Sequence, residues 1–146
     1  MKLYKYKFDR ILSYRESIER NQKMHLSLSI KRYIKEKNKL LNLNADLNKN
    51  FDDFRNSIAK GMTIGELLKI EENQNYLKEV IKKKTIDVKN ADNDVKENRV
   101  KLIKAMQDRK VLERLKEIDL LNYNYELQKE TEKDLDEIIG FKHNRP

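Results

Sequence analysis

The sequence predicts an all-α protein, specifically a long antiparallel two-helix coiled-coil hairpin. Glycine and proline, which helix interiors reject, are absent from residues 1–60 and again from residues 66–139. Gly61 and Gly65 lie between these stretches, and the one proline is the last residue. Charged residues make up 40% of the chain and hydrophobic residues 38%, a balance typical of coiled coils. We therefore expect one hairpin domain over residues 1–146.

The first helix is predicted over about residues 4–60, from an apolar heptad pattern. Eight of its ten seam positions are apolar or aromatic, which is the sustained 3–4 spacing of a coiled-coil seam. The d positions are Leu26, Tyr33, Leu40, Leu47 and Phe54, and the a positions are Ile30, Lys37, Asn44, Phe51 and Ile58.

The hinge is predicted at residues 61–65. Gly61 is typical of the glycine that follows a helix C-terminus. Thr63 and Glu66 have the spacing of a capping box, in which the threonine caps the next helix and the glutamate reaches back. The second helix should therefore begin within this segment.

The second helix is predicted over about residues 66–139, followed by a tail of residues 140–146 that Gly140 opens. Lys84 and Asn98 interrupt its apolar stripe, and we expect a change of phase after Met106. The stripe consists of Leu77, Ile81, Val88, Ala91, Val95 and Leu102, and resumes at Leu112, Leu115 and Ile118.

The two stripes match in an antiparallel register. If facing residues have numbers that sum to a constant set by the hinge, Leu47 meets Leu77, Phe54 meets Ile70 and Ile18 meets Met106, and each pair sums to 124. A second helix longer than the first then leaves a C-terminal overhang, residues 126–139, with no facing residue. The overhang is rich in acidic residues and leads into an apolar patch of Leu135, Ile138, Ile139 and Phe141. Such a patch predicts an interaction surface.

The net charge of +8 is concentrated in the first part of the chain. Residues 1–39 contain 12 basic and 4 acidic residues, whereas the remaining residues are balanced. A basic helix can bind nucleic acid, an acidic protein surface or a membrane surface, but most such charge lies on a merely solvated face. The aromatic residues near the start do not form a base-stacking module, so we expect no nucleic-acid partner.

Catalytic patterns are absent from the sequence. The two histidines, His25 and His143, are far apart, and there is no cysteine, glycine-rich phosphate loop or zinc-binding motif. We therefore expect a protein that is not an enzyme and has no cofactor, metal or small-molecule ligand. The sequence has no apolar run of about 18 residues and no secretory signal, which favours a cytoplasmic protein.

Both ends of the chain resemble the FliJ family of flagellar proteins. The start, Phe8 to Leu12 with Arg15 and Glu19, is similar to that family's opening pattern of phenylalanine, leucine, arginine and glutamate. The end is similar to its basic segment, leucine-glutamate repeat, tyrosine and closing acidic pair. These positions are Lys104–Lys110, Leu112, Glu113, Leu115–Glu117, Tyr123, Glu130 and Leu135–Glu137.

The resemblance implies a component of the flagellar type III export apparatus, cytoplasmic and peripheral at the inner face of the cell membrane. It implies an antiparallel coiled coil similar to the stalk of a rotary ATP synthase. The implied partners are the hexameric export ATPase, the cytoplasmic domain of the export gate, and export chaperones that it escorts. ATP chemistry would then belong to the ATPase ring.

The resemblance also assigns candidate contact residues. The ATPase would contact Phe8, Ile11, Arg15, Arg109, Lys110, Leu135, Asp136 and Glu137. The export gate would contact Leu47, Phe54, Leu77 and Val80, although the first three are also predicted seam residues. Two other functions stay open from the residues alone: a self-associating scaffold coiled coil and a basic nucleic-acid-binding hairpin.

Overall fold

The computed structural model describes residues 2–143, and within them it contains two α-helices and no strand. Helix α1 spans Asp9–Lys60, with 52 residues, and helix α2 spans Ile64–His143, with 80 residues. The two helices pack against each other, so the predicted all-α helical hairpin is confirmed. Across the described residues, neither helix has a stretch long and apolar enough to span a membrane.

The contacts within the chain divide it into two compact units, each of which contains a part of both helices. The terminal unit comprises Met1–Asn21 and Ile103–Pro146. The hinge unit comprises Gln22–Leu102 and therefore includes the connection between α1 and α2.

Helix α1 begins later than the predicted residue 4. Residues 2–6 are not helical, and a turn at Lys7 and Phe8 leads into Asp9. The amide of Asp9 donates to the carbonyl of Tyr6 at 3.2 Å, which closes this turn. Tyr4, Tyr6 and Phe8 are covered while Leu3, Lys5 and Lys7 are exposed. This alternation with a period of two is typical of an extended segment and not of a helix.

The hinge has the predicted glycine and capping box. Gly61 has a φ of 88°, a conformation that other residues adopt only with strain. The Thr63 hydroxyl accepts from the Glu66 amide at 3.2 Å, and the Glu66 carboxylate accepts from the Thr63 amide at 3.4 Å. These reciprocal bonds fix Thr63 as the cap of α2, which begins at Ile64.

In the hinge unit, one row of the α1 seam differs from the prediction. The predicted d row is half-buried as expected, but the predicted a positions Lys37, Asn44 and Ile58 are exposed. A second half-buried row lies one residue before the predicted a row and is mostly polar. Within it, Glu36 pairs with Lys84 of α2 at 2.8 Å. This row consists of Ser29, Glu36, Leu43, Asn50 and Ser57.

In the terminal unit, α2 shows no change of phase after Met106, contrary to the prediction. Its covered positions keep the 3–4 spacing. Of the three residues where the stripe was expected to resume, Leu112 is covered, but Leu115 and Ile118 are 44% and 42% exposed. Several of these heptad positions are polar residues that bind the facing segment. A pattern of apolar residues therefore does not identify them as covered. The covered positions are Ala105, Arg109, Leu112, Lys116, Asp119 and Tyr123.

Helix α2 was predicted to end before Gly140, but it continues through Gly140 to His143. A glycine inside a helix costs only about 1 kcal/mol relative to alanine, which neighbouring turns can offset. The last predicted tail residues, 144–146, lie outside the described residues.

Candidate functional site

An ion network that is buried at Glu19 and partly exposed at Glu113 joins the two helices of the terminal unit. Glu19 is 5% exposed and accepts a hydrogen bond from Nε of Arg109. Nη1 of the same arginine donates to Glu113 at 2.6 Å, one helical turn further along α2. The carboxylates of Glu113 and Glu19 raise the pKa of Arg109, because their hydrogen bonds stabilise its charged form. Arg109 is therefore committed to contacts within the chain.

Two weaker ion pairs join the same helices nearer the start of α1. Arg15 donates to Asp108 at 3.3 Å, and Lys116 lies 3.6 Å from Asp9. The Arg15–Asp108 pair is more than a third exposed on both sides, so it should contribute little to stability. These contacts align the beginning of α1 with residues 108–116 of α2.

The non-helical N-terminal segment, residues 2–8, lies along α2 as a strap. The Tyr6 hydroxyl donates to the carbonyl of Leu112 at 2.9 Å, and the Tyr4 hydroxyl donates to Asp119 at 3.1 Å. The Tyr123 hydroxyl donates back to the carbonyl of Lys2 at 2.7 Å. The Tyr4 and Tyr123 rings also meet, with centroids 5.2 Å apart. The strap thus extends the covered surface of α2 as far as Tyr123.

Burial raises the pKa of both strap tyrosines, Tyr4 and Tyr6. The hydrogen bond of Tyr4 to Asp119 raises its pKa further, and the negative charges of Asp119 and Asp9 add to the effect on Tyr6. Both phenols therefore stay protonated and able to donate. We did not predict this strap from the sequence, although the alternation of Tyr4, Tyr6 and Phe8 with lysines is a signal that could have revealed it.

Beyond Tyr123 the side chains of α2 become exposed. Every residue from Asn124 to Ile139 is exposed, which agrees with the expected overhang. Leu135, Ile138 and Ile139 are 53%, 52% and 63% exposed, so their apolar surfaces face solvent. The overhang therefore combines exposed apolar and exposed acidic side chains.

All eight residues predicted to contact the ATPase lie in the terminal unit. Phe8 is half-buried beside Tyr6, and Arg15 and Arg109 bind acidic side chains of the hairpin itself. Ile11 and Lys110 are exposed, as are Leu135, Asp136 and Glu137 in the overhang. The structure therefore leaves five of the eight available to a partner, and their roles stay predictions.

The four residues predicted to contact the export gate lie in the hinge unit and are half-buried. Leu47 and Phe54 belong to the d row of α1, and Leu77 belongs to the seam of α2. Val80 lies at the edge of that seam, next to the covered Ile81. Packing between the helices thus accounts for these positions, and the gate contact stays a prediction.

The search for a metal site and the comparisons with known proteins give separate results. Within residues 2–143, no group of histidine, aspartate and glutamate side chains is arranged to hold a metal ion. The family model described as flagellar FliJ protein matches residues 4–146. No curated protein and no solved structure matches the chain. Because the family match covers nearly the whole chain, this protein belongs to the FliJ family and is a component of the flagellar export apparatus.

Proposed function

We propose that this protein binds the hexameric ring of the flagellar export ATPase through its terminal unit, as a central stalk, and raises ATP turnover or ring assembly. The observation that carries this proposal is the overhang, where α2 continues past its partner segment with its side chains exposed. A helix that exposes Leu135, Ile138 and Ile139 leaves apolar surface that a partner can bury. The family assignment points to the export apparatus as the source of that partner.

The chemistry of this interaction belongs to the ATPase and not to the hairpin. A stalk can change the activity of a ring only by binding some subunit conformations more tightly than others. Ile11, Lys110 and Leu135 are exposed side chains of the terminal unit and would supply contacts of this kind. Arg109 and Glu19 hold α1 and α2 together within the same unit.

The hinge unit is proposed to engage the cytoplasmic domain of the export gate, near Leu47, Phe54, Leu77 and Val80. Because these side chains are half-buried, a gate domain would contact their exposed edges and the outward residues beside them. Escort of export chaperones is a third proposed interaction. In this proposal the protein works in the cytoplasm, held at the inner face of the membrane by the export apparatus.

Truncation after Gln128 tests the ATPase proposal. The shortened protein loses Leu135, Asp136, Glu137 and Ile138 but keeps the strap and the ion pairs that join α1 to α2. We expect it to stay helical by circular dichroism and to lose stimulation of its cognate export ATPase. Full stimulation by the shortened protein would show that the overhang is not the docking element. Failure of the intact protein to bind the ATPase would favour the self-associating scaffold instead.

A further inference from the structure

The overhang separates its side chains into three faces, and this arrangement specifies the chemistry of its partner. Leu127, Thr131, Leu135 and Ile138 are spaced four, four and three residues apart, which places them on one face of the helix. Leu127, Leu135 and Ile138 are 38%, 53% and 52% exposed. The Thr131 hydroxyl donates to the Leu127 carbonyl at 3.0 Å, so its hydrogen-bonding need is met within the helix. The four residues form an apolar stripe about 16 Å long at 1.5 Å per residue.

Acidic side chains border the apolar stripe on both sides. Asp134 and Glu137, three residues apart, lie along one edge, and Glu132 lies along the other edge. Asp134, Glu137 and Ile138 also line a shallow concavity on the surface of α2, together with Phe141 and Lys142. The two lysines of the overhang, Lys129 and Lys133, fall on the opposite face of the helix.

The same helix shows how such acids are used where its partner is present. In the terminal unit, Asp108 receives a hydrogen bond from Arg15 of α1, and Asp119 receives one from Tyr4 of the strap. In each case an acidic residue of α2 binds a donor from the facing segment. Past the end of the strap the overhang also carries acids, and Glu137 lies two heptads after Tyr123.

We infer that the apolar stripe of the overhang docks against a helical surface of the ATPase that carries an apolar row bordered by arginine or lysine. This inference rests on the proposed function and specifies its docking partner. Complementary charge would fix the orientation of docking and speed association, while the buried apolar row would supply affinity. The flanking acids disfavour an anionic membrane surface, because like charges repel. They equally disfavour the overhang of a second copy, which carries the same acids.

Charge reversal at one edge of the stripe tests this inference. We expect Asp134→Lys with Glu137→Lys to raise the Kd for the intact ATPase about tenfold, because two attractive contacts become repulsive. The matched control is Glu72→Lys with Glu79→Lys, which makes the same change of charge at exposed positions of the hinge unit. The control should bind the ATPase with a Kd within about twofold of the wild-type value. The affinity of the wild type should fall more steeply with added salt than the affinity of the Asp134→Lys, Glu137→Lys variant.

A photo-crosslinking residue at Leu127 would identify the docking surface directly. The crosslinked ATPase segment should be a helix with arginine or lysine beside apolar residues, and reversing those charges should restore binding of the Asp134→Lys, Glu137→Lys variant. An acidic crosslinked segment would overturn the inference. So would wild-type affinity in the reversed variant, although the proposed ATPase function would then stand.

Two further outcomes separate the remaining possibilities. If the wild type does not bind the ATPase at all, the proposed function and the inference both fail. If Ile138→Asp lowers the sedimentation mass of the protein on its own, the stripe is occupied by a second copy, which also overturns the inference. Circular dichroism should remain unchanged in every variant, because the substituted side chains are exposed on α2.

Discussion

Glu19 of α1 and Arg109 of α2 form a buried ion pair across the hairpin, and Glu113 binds the same arginine from the next helical turn. The two carboxylates that bind this one guanidinium form a polar layer within the seam between the helices. A single buried polar contact of this kind is a known means of setting the register of a coiled coil, since slippage would leave the charges without partners. This geometry makes Arg109 a structural residue of the hairpin, in addition to any role toward the ATPase.

Substitution of either residue of this pair should destabilise the terminal unit. Arg109→Glu would place a third carboxylate beside Glu19 and Glu113, and we expect the melting temperature to fall by roughly 5 °C or more. The double variant Glu19→Arg with Arg109→Glu restores one attractive pair and should recover part of the loss. Thermal melting followed by circular dichroism measures both. Equal melting temperatures for the single and double variants would show that the two side chains are not coupled.

The seam shows which features of the fold can be predicted from one sequence. The d row of α1, the glycine of the hinge and the capping box were predicted because each depends on residues close together in the chain. The polar row through Glu36 was missed because its burial depends on Lys84, 48 residues later. A hydrophobicity pattern assigns such a residue to the solvent, since it cannot show the facing partner.

The terminal unit illustrates the same limit. The expected change of phase after Met106 followed from the polar residues Arg109, Lys116 and Asp119, which occupy regular heptad positions in the structure. Each binds a residue near the other end of the chain: Glu19, Asp9 and Tyr4. Prediction of the overhang needed only the relative lengths of the helices and the register, so it did not depend on those distant pairs.

The d row of α1 can be tested at Leu47. Leu47→Asp would place a carboxylate in the half-buried seam, and we expect a loss of about 2–3 kcal/mol in the free energy of unfolding. Leu41→Asp is the matched control, because Leu41 is 56% exposed on the same helix and should change the free energy by less than about 0.5 kcal/mol. Urea unfolding measures both values. Equal losses would contradict the assignment of Leu47 to the seam.

The capping box at the hinge predicts a smaller effect. Thr63→Ala removes the hydroxyl that accepts from the Glu66 amide and should cost about 1 kcal/mol. Thr85 is a useful control, since its hydroxyl only donates back to the Ile81 carbonyl inside α2. Thr85→Ala should be neutral or slightly stabilising, because alanine has the higher helix propensity. A loss of similar size at both positions would exclude a specific capping role for Thr63.

The Glu36–Lys84 pair predicts a dependence of stability on pH. The Lys84 hydrogen bond lowers the pKa of Glu36, and the Glu36 hydrogen bond raises the pKa of Lys84. The contribution of Glu36 to stability is therefore present above its ordinary pKa of 4.5 and is lost as the pH falls below that value. The contribution of Lys84 is present below its ordinary pKa of 10.5 and is lost as the pH rises above that value. Glu36→Gln should flatten the acid side of the stability curve. An unchanged curve would show that this pair contributes nothing measurable.

The strap predicts a separate transition at high pH. Tyr4 and Tyr6 have pKa values raised above the ordinary value of 10.0, so the unfolded or released segment loses its protons first. Stability from these phenols is present below pH 10.0 and falls as the pH rises through their raised values, because a phenolate cannot donate to Asp119 or to the Leu112 carbonyl. We expect a fluorescent label at Leu3, which is 94% exposed, to gain mobility in this range before α1 and α2 lose ellipticity.

Tyr6→Phe should release the strap at neutral pH, whereas Tyr76→Phe, at a 66% exposed position of the hinge unit, should leave it in place. A strap that stays immobile in Tyr6→Phe would mean that ring packing against α2, and not the Leu112 hydrogen bond, holds it.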